Sequence, residues 1–237
     1  MKRNNTTEAL DLYSSIEDII GVKDVAPSLY AHYLLLLSSI EFDSLLDVGC
    51  GSGDFLSSIS SAFEGTYMMG IDLSPKMVEQ TLQRDINAKC IDLCLVDNQY
   101  DVITATFDMI NYLNDSELKR FLDCIWDRLN DGGYFLCDIN TLHGFKDVAV
   151  GSFISDMDDR FLAIDSDFED DIYSATFTLF TKSNELYHKS SEDIYQYYHT
   201  TDKISNISKL KLIESDMVTL YSDEADKEFL VFKKMTI

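Results

Sequence analysis

The feature that most constrains the fold is the run of residues 45–54, LLDVGCGSGD. A short apolar run that ends at glycines and continues into a helix is typical of a buried parallel strand and its βα turn. Glycine lets the backbone of such a turn lie directly against a ligand, and the amides at the start of the helix attract negative groups. The sequence therefore predicts a ligand-binding loop at the carboxyl end of a parallel strand.

The spacing of this loop differs from that of a dinucleotide-binding loop. Gly49, Gly51 and Gly53 alternate, but residue 54 is aspartate where the motif Gly-x-Gly-x-x-Gly needs glycine. A carboxylate is unfavourable beside a pyrophosphate, whereas Asp47, two residues before the first glycine, suits a cationic amine. These residues indicate a ligand other than a dinucleotide.

Strand and helix patterns alternate from residue 45 to residue 139, which is typical of a parallel sheet covered by helices on both faces. Ser74-Pro75 begins one helix, since serine caps and proline fits the first turn. Asp115 or Ser116 is expected to cap another, and Gly132-Gly133 to close it in the left-handed conformation. The predicted strands lie at residues 45–48, 67–71, 88–91, 100–106 and 134–139.

The regions outside this block follow other patterns, and they divide the chain into three parts. We predict an N-terminal helical cap over residues 1–43. A core would combine residues 44–143 with residues 200–237. The pattern of the second range predicts a helix at 200–211 followed by strands at 212–221 and 228–235. Residues 144–199 show strand-like alternation and are predicted to form an antiparallel β insertion that acts as a lid over the acceptor. Within it, the acidic run at 156–171 is expected to be a solvated loop.

The chain is strongly acidic. It contains 42 Asp and Glu residues against 19 Lys and Arg, a formal net charge of −23. Such a surface disfavours nucleic acids and anionic membranes, whereas it tolerates or attracts a cationic small molecule. With no apolar run near the roughly 18 residues of a membrane-spanning helix and no signal-peptide pattern, a cytoplasmic location is expected.

The cysteines predict reduced thiols. An odd number without a Cys-x-x-Cys pair argues against a disulfide framework and against a zinc site, so no metal is expected. The five are Cys50, Cys90, Cys94, Cys124 and Cys137.

Asp72 is the second sign of a ligand site. It ends the second predicted strand, and a carboxylate there can accept hydrogen bonds from both hydroxyls of a ribose. The glycine loop and Asp72 together therefore indicate a nucleoside-containing ligand.

The runs LLDVGCGSG and GIDLS resemble the class I S-adenosylmethionine-dependent methyltransferases, over about residues 40–140. The resemblance implies a Rossmann-like seven-stranded sheet whose last strand is antiparallel, with S-adenosylmethionine as methyl donor. It places Asp47 at the methionine amino group, Asp72 at the ribose and Asp92 at the adenine amino group. The full set of donor-contacting residues that it implies is Asp47, Gly49, Cys50, Gly51, Gly53, Asp72, Leu73, Met77, Asp92, Leu93, Thr106 and Phe107.

Residues 135–141, FLCDINT, resemble the F-x-x-D-x-N-T segment of small-molecule methyltransferases, a subgroup that includes amino-sugar N-methyltransferases. This subgroup carries an antiparallel insertion after that strand. The matching stretch at 193–199 keeps Gln196 but has tyrosines where the subgroup has basic residues.

The resemblance implies methyl transfer to a nitrogen or oxygen atom of a small molecule by in-line displacement. Such an acceptor benefits from a base, and His143, just past the fifth strand, is the predicted one. His188 and His199 in the insertion are alternatives. The predicted acceptor contacts are Tyr112, Asn140 and Tyr197, and one of the tyrosines Tyr13, Tyr30 and Tyr33 is expected to cover the donor, with Tyr33 in the core.

Three other functions stay open at this point. The chain can be a donor-binding sensor or partner subunit without transfer activity, which would have the same fold. A nicotinamide-dependent oxidoreductase is disfavoured by Asp54 and by the absence of a Tyr-x-x-x-Lys pair. An RNA methyltransferase is disfavoured by the net charge of −23. The sequence does not indicate an oligomeric state.

Overall fold

The computed structural model describes residues 5–236, so residues 1–4 of the predicted cap lie outside it. The α-helices in this range are Thr7–Ser14 (α1), Val22–Leu37 (α2), Asp54–Ser60 (α3), Pro75–Leu82 (α4), Asp115–Arg128 (α5) and Thr201–Ile207 (α6). The strands are Ser44–Val48 (β1), Tyr67–Asp72 (β2), Ala88–Cys90 (β3), Tyr100–Ala105 (β4), Leu129–Asn140 (β5), Gly151–Asp156 (β6), Arg160–Glu169 (β7), Ile172–Ser183 (β8), Leu186–Tyr197 (β9), Lys211–Val218 (β10) and Lys227–Lys233 (β11).

Seven strands form one mixed sheet in the order β10-β11-β5-β4-β1-β2-β3, which confirms the predicted α/β architecture. β1 pairs in parallel with β2 and β4, and β4 pairs in parallel with β5. The last strand, β11, runs antiparallel to β5 and β10, as the resemblance implied. One apolar cluster joins the sheet to α5, and a second joins it to α2 and α3, so both faces of the sheet are covered.

The insertion is a separate antiparallel sheet in the order β6-β7-β8-β9, as predicted. Its inner face packs against α1 and the turns that follow, in a cluster that contains Leu12, Ile16, Leu162, Phe177 and Ile194. Asn5 ties the start of the described chain to β9, since its side chain exchanges two hydrogen bonds of 2.8 Å with the Tyr195 backbone. The N-terminal segment and the insertion therefore pack together at one side of the main sheet.

The prediction of a solvated loop over residues 156–171 is wrong. Most of that run is β7, which pairs with β8 along its whole length and with β6 over residues 161–166. Its acids alternate: Asp165, Asp167 and Glu169 are exposed, whereas Leu162 between β6 and β8 is fully buried. A run with one acidic and one apolar face satisfies the two-residue period of a strand, which a count of charges does not reveal.

Both predicted ends of α5 also need correction. The cap is Asn114, whose side chain accepts from the backbone amides of Ser116 and Glu117 while Glu117 bonds back to the Asn114 amide. This reciprocal capping box satisfies two of the amides that the first turn leaves free. At the other end the helix stops at Arg128, and the left-handed Gly132 (φ 82°) lies inside the extended β5.

The prediction that all the cysteines are reduced is wrong for one pair. Cys94 and Cys124 form a disulfide, with their Cα atoms 5.1 Å apart. A short 3-10 helix, Leu93–Leu95, packs against α5 and brings the two sulfur atoms together across 30 residues of sequence. Sequence spacing alone carries no sign of that contact. Cys50, Cys90 and Cys137 are free thiols.

Two further observations concern the part of the chain that the structure covers, residues 5–236. There, no three His, Cys, Asp or Glu side chains converge in a way that could hold a metal ion. The helices of the same range are too short or too polar to span a bilayer.

Candidate active site

A cavity of about 900 Å³ lies where β1, β2 and β4 end, beneath α1 and α2. Ligands of open α/β sheets gather at this edge, because the loops after parallel strands meet there. Among the predicted donor-contacting residues, those that line the cavity are Gly49, Cys50, Gly51, Asp72, Leu73, Met77, Asp92, Leu93, Thr106 and Phe107. Tyr112, predicted to contact the acceptor, also lines it. The structure thus brings eleven of the predicted residues to one space.

The glycine loop forms one wall of the cavity and is held by β2. The amides of Gly49 and Cys50 donate to the Ile71 carbonyl at 2.8 and 3.0 Å. Gly49 has a positive φ of 71°, and a Cβ atom there would lie 2.6 Å from Met109 Cγ. Gly53 (φ 80°) is equally restricted, because its Cβ would lie 2.8 Å from Thr81 Cγ2. These two sites need glycine to keep the loop close against its neighbours.

Asp72 faces the glycine loop across this wall. Its Oδ2 accepts from the Gly51 amide at 3.0 Å, and its Oδ1 accepts from the Ser74 amide at 2.8 Å. Burial raises the pKa of Asp72, while the two amide hydrogen bonds act in the opposite direction. Each carboxylate oxygen has a second lone pair, so the side chain still has capacity to accept from a ligand.

Asp47 is fully buried in β1, behind the loop rather than on the cavity surface. Its Oδ1 accepts from the Thr104 hydroxyl at 2.7 Å, whereas Oδ2 has no hydrogen-bond partner among the described residues. Burial raises the pKa of this carboxyl from its ordinary 3.8 to about 7. A buried acceptor without a partner costs about 1–3 kcal/mol, so Asp47 is suited to receive a donor from a ligand or a water.

The far end of the cavity is bounded by Leu73, Met77 and Leu93. Asp92 caps the short 3-10 helix, since its Oδ1 accepts from the Cys94 amide at 2.8 Å. Arg120 of α5 also binds both Asp92 carboxylate oxygens, at 3.1 and 3.3 Å. The apolar side chains suit a flat aromatic ring, and the Asp92 carboxylate already has partners within the protein.

The turn after β4 has an unusual backbone that no local sequence pattern indicates. Phe107 and Asp108 both have positive φ values, 53° and 49°. Asp138 of β5 stabilises this turn, because its two carboxylate oxygens accept from the Phe107 and Asp108 amides, each at 2.8 Å. The Tyr33 hydroxyl donates to the same carboxylate at 2.6 Å. Asp138, the aspartate of FLCDINT, thus shapes the wall that Phe107 presents to the cavity.

Next to this turn lies a buried charged network. Lys227 of β11 pairs with Asp108 and lies 3.3 Å from Asp138. Gln196 of the insertion donates to Asp108, and Asn140 donates to Gln196 at 3.4 Å. Because Lys227 is nearly fully buried, its ammonium is held by these carboxylates, which raise its pKa. The network links the insertion to the core beside the cavity.

The N-terminal segment covers the cavity. Tyr13, Glu17 and Tyr30 line it from above, and the Tyr30 ring packs against Phe107 with centroids 5.7 Å apart. Tyr33 is fully buried in the core, as predicted. The sequence gives no sign of Glu17, because an acid in a turn after a helix carries no signal until the packing of that segment is known.

The predicted base, His143, does not line the cavity. Its Nδ1 lies 3.1 Å from Asp147 and its Nε2 3.0 Å from Ser222. His188 is exposed on β9, and His199 is buried with Nε2 2.8 Å from the Leu113 carbonyl. None of these three histidines faces the ligand space.

Two of the predicted acceptor contacts also lie outside the cavity lining. Asn140 accepts from Lys227 at 3.0 Å within the charged network. The Tyr197 carbonyl accepts from the Asn111 side chain at 2.8 Å, at the joint between β9 and the core. Tyr112 is therefore the predicted acceptor contact that the structure brings to the cavity.

A comparison with protein families agrees with this geometry. Residues 45–133 match a family model described as a methyltransferase domain. The matched range begins at β1 and includes the glycine loop, Asp72 and the turn after β4. Residues 45–133 of this chain are a methyltransferase domain.

Solved structures of methyltransferases share the fold over nearly the whole chain. An S-adenosylmethionine-dependent methyltransferase from Clostridium acetobutylicum superposes with a TM-score of 0.79 at 21% identity, covering 96% of this chain and 99% of that one. The sugar N-methyltransferase KedS8 from a Streptoalloteichus species gives 0.74 at 17% identity, covering 100% and 96%. CalS10, an amino pentose methyltransferase from Micromonospora echinaspora, gives 0.64 at 17% identity and covers 99% of each. At these identities the likeness concerns the fold, including the insertion around the methyltransferase domain.

A curated relative matches over a shorter segment. The mouse 18S rRNA (guanine-N(7))-methyltransferase is 48% identical over 52 residues, which are 22% of this chain. The match spans about a fifth of that relative's length (18%). It therefore supports the methyltransferase domain and says nothing about the acceptor of this chain.

Proposed function

We propose that this protein transfers a methyl group from S-adenosylmethionine to a nitrogen or oxygen atom of a small molecule. The observation that carries the proposal is the cavity wall in which the glycine loop and Asp72 face each other, joined by the 3.0 Å bond from the Gly51 amide. The family description of residues 45–133 supports the reaction type. CalS10, which shares the fold, was solved with this donor bound.

Residues that line the cavity, together with the buried Asp47 behind the glycine loop, fit the donor in three parts. Asp72 is suited to the ribose, because both of its oxygens have lone pairs left after binding the loop amides. The unpartnered Oδ2 of Asp47 is suited to the methionine amino group, directly or through a water. Leu73, Met77 and Leu93 offer apolar surface to the adenine. When bound, the donor supplies a methyl group on a positively charged sulfur, ready for displacement by a lone pair in line with the breaking bond.

The size and enclosure of the cavity favour a small acceptor. A volume of about 900 Å³ is near the upper end for small-molecule sites, which leaves room for a compact acceptor beside the donor. α1 and the insertion pack together over this edge. Within such a site, holding the acceptor in line contributes up to about 7–11 kcal/mol to lowering the barrier.

Isothermal titration calorimetry with S-adenosylmethionine and with its demethylated product, S-adenosylhomocysteine, tests the donor site. We expect saturable binding of both, at one site per chain. Absence of saturable binding of either compound at millimolar concentration contradicts the proposal. Binding of both compounds without methyl transfer to any member of a library of amines and hydroxyl compounds would instead favour a donor-binding sensor or partner subunit.

A further inference from the structure

Glu17 is held over the cavity by its two neighbours in sequence. Ile16, on one side, is fully buried in the cluster between α1 and the insertion. Asp18, on the other side, pairs with Arg160 of β7 at 2.7 Å, and Arg160 also donates to the Ser15 carbonyl at 3.3 Å. Since both neighbours are anchored on the insertion, the Glu17 side chain is directed into the cavity that it lines.

The Glu17 carboxylate has no ion pair and no hydrogen bond with any residue from 5 to 236. The nearby acids Asp54 and Asp72 repel its negative charge, and Lys23 is the cation that opposes this repulsion. The rest of its surroundings in the cavity are largely apolar or phenolic, including Tyr13 and Tyr112. A half-buried carboxylate in such surroundings is suited to bind a positively charged group of a ligand.

We propose that Glu17 binds the ammonium group of an amine acceptor and removes its proton, so that the methyl group is transferred to nitrogen rather than to a hydroxyl oxygen. The proposal rests on the methyl-transfer function proposed above. It assigns the role of base to Glu17 of the N-terminal segment instead of to His143, which faces Asp147 and Ser222.

The step balances without any further reactant. One proton passes from the ammonium to the Glu17 carboxylate, which frees the nitrogen lone pair. That lone pair forms the new carbon–nitrogen bond while the sulfur–carbon bond breaks and its electron pair stays on sulfur. The methylated amine carries one positive charge, sulfur becomes neutral, and Glu17 releases its proton to solvent when the product leaves.

The acid–base behaviour of Glu17 suits this role. Burial raises the pKa of Glu17 to about 7, and a base is most effective when its pKa lies near the working pH. The titratable and charged groups that face it come from its own segment, from α1, α2 and α3, from the end of β2 and from the short helix Met109–Tyr112 after β4. They are Asp18, Lys23, Tyr13, Tyr30, Asp54, Asp72 and Tyr112.

Methyl transfer by wild type, Glu17→Gln and the control Glu8→Gln tests the proposal. Glu8 is exposed on α1 and does not line the cavity, so its variant changes the charge of the same segment only. The probes are glucosamine with glucose, and cyclohexylamine with cyclohexanol, each an amine paired with a hydroxyl compound. We expect transfer to amines alone and a fall in kcat on the order of 100-fold in Glu17→Gln at pH 7. S-adenosylhomocysteine affinity should stay within about twofold, and Glu8→Gln should match wild type.

A second measurement does not depend on turnover. Nuclear magnetic resonance of protein with ¹³C-labelled glutamate carboxyls and bound S-adenosylhomocysteine follows Glu17 directly. The Glu17 signal is assigned as the carboxyl resonance that is absent from the spectrum of Glu17→Gln. We expect it to titrate near neutral pH and to shift when an amine probe is added, but not with its hydroxyl partner. Titration below pH 5 without a response to amines overturns the proposal, even if no probe is methylated.

The remaining outcomes separate this proposal from the donor site. Wild type that binds neither donor nor product contradicts the methyl-transfer function and the Glu17 role with it. Two outcomes overturn the Glu17 role alone, provided that wild type binds S-adenosylhomocysteine. One is methyl transfer only to the hydroxyl probes, and the other is methyl transfer to amines at a rate that Glu17→Gln leaves unchanged. If Glu17→Gln weakens binding of S-adenosylmethionine but not of S-adenosylhomocysteine, the cation that Glu17 binds is the donor sulfur, which also overturns it.

Discussion

Asp72 is the residue on which two parts of the site depend, because it shapes the glycine loop and faces the ligand space. In Asp72→Asn, an amide nitrogen would replace one of the oxygens that accept from Gly51 and Ser74. Hydrogen bonds to charged groups contribute about 1.5–3 kcal/mol, so we expect S-adenosylhomocysteine affinity to fall at least about 10-fold. Calorimetry measures this effect. The exposed Asp97→Asn, away from the cavity, serves as the control, and unchanged affinity in Asp72→Asn would mean that the donor lies elsewhere.

Asp47 predicts a pH dependence of stability. Because its pKa is about 7 in the folded protein and 3.8 in the unfolded chain, the folded state binds the extra proton between about pH 4 and 7. The contribution of Asp47 to the free energy of unfolding therefore falls as pH rises through that window, by about 1.4 kcal/mol per pH unit at most. Asp47→Asn removes this dependence.

Urea unfolding of ligand-free wild type and Asp47→Asn at pH 5 and pH 8 measures it. We expect the variant to gain stability relative to wild type at pH 8. Asp43→Asn, at an exposed residue just before the same strand, should show no such change. Equal differences between Asp47→Asn and wild type at both pH values would show that Asp47 titrates normally.

At the scale of elements, the turn after β4 depends on a carboxylate from a different strand. Asp138 accepts from two amides of the left-handed turn and lies 3.3 Å from the buried Lys227. In Asp138→Asn, the side-chain NH₂ group would face one of the two backbone amides that now donate to a carboxylate oxygen. That amide would lose its acceptor, and Lys227 would lose part of its neutralising charge. Breaking a buried charged pair costs about 3–5 kcal/mol, so we expect a loss of about 3 kcal/mol or more.

Urea unfolding gives that loss, and Asp131→Asn supplies a comparison on the same strand. Asp131 is largely exposed and lies 3.5 Å from Lys234, so its removal should cost less than about 1 kcal/mol. Similar losses in the two variants would show that Asp138 does not stabilise the turn.

The elements that the sequence predicted well are those whose signals are local. The parallel strands and the helix at Pro75 follow from apolar runs and from the Ser74 cap, which accepts from the Met77 amide at 3.2 Å. The elements that were misread depend on partners. β7 needed two neighbouring strands to reveal its alternating faces, and the end of α5 was decided by pairing of Leu129 in β5.

The same distinction applies to the site. The glycine loop and Asp72 lie close together because they end adjacent parallel strands, which the sequence pattern already implies. Glu17 and Asp138 were missed because their roles arise from packing between distant segments, as does the Cys94–Cys124 disulfide. Motifs near the ends of strands predicted the proposed donor site, whereas the surroundings of the proposed acceptor came only from the tertiary structure.

For the whole molecule, the net charge of −23 predicts that RNA is not the acceptor, even though the curated mouse relative is an rRNA methyltransferase. RNA binding draws its affinity from Lys and Arg contacts to phosphates, and this chain has more than two acids for each basic residue. We expect no gel shift of an 18S rRNA fragment with protein up to about 10 µM, even at 50 mM KCl, where low salt strengthens non-specific binding to phosphates. We also expect no methyl transfer to that RNA. The same preparation must bind S-adenosylhomocysteine, so that a negative result does not reflect unfolded protein. A shift that weakens steeply with added salt would reveal a basic surface large enough to offset the acidic balance, and it would make RNA the acceptor to test.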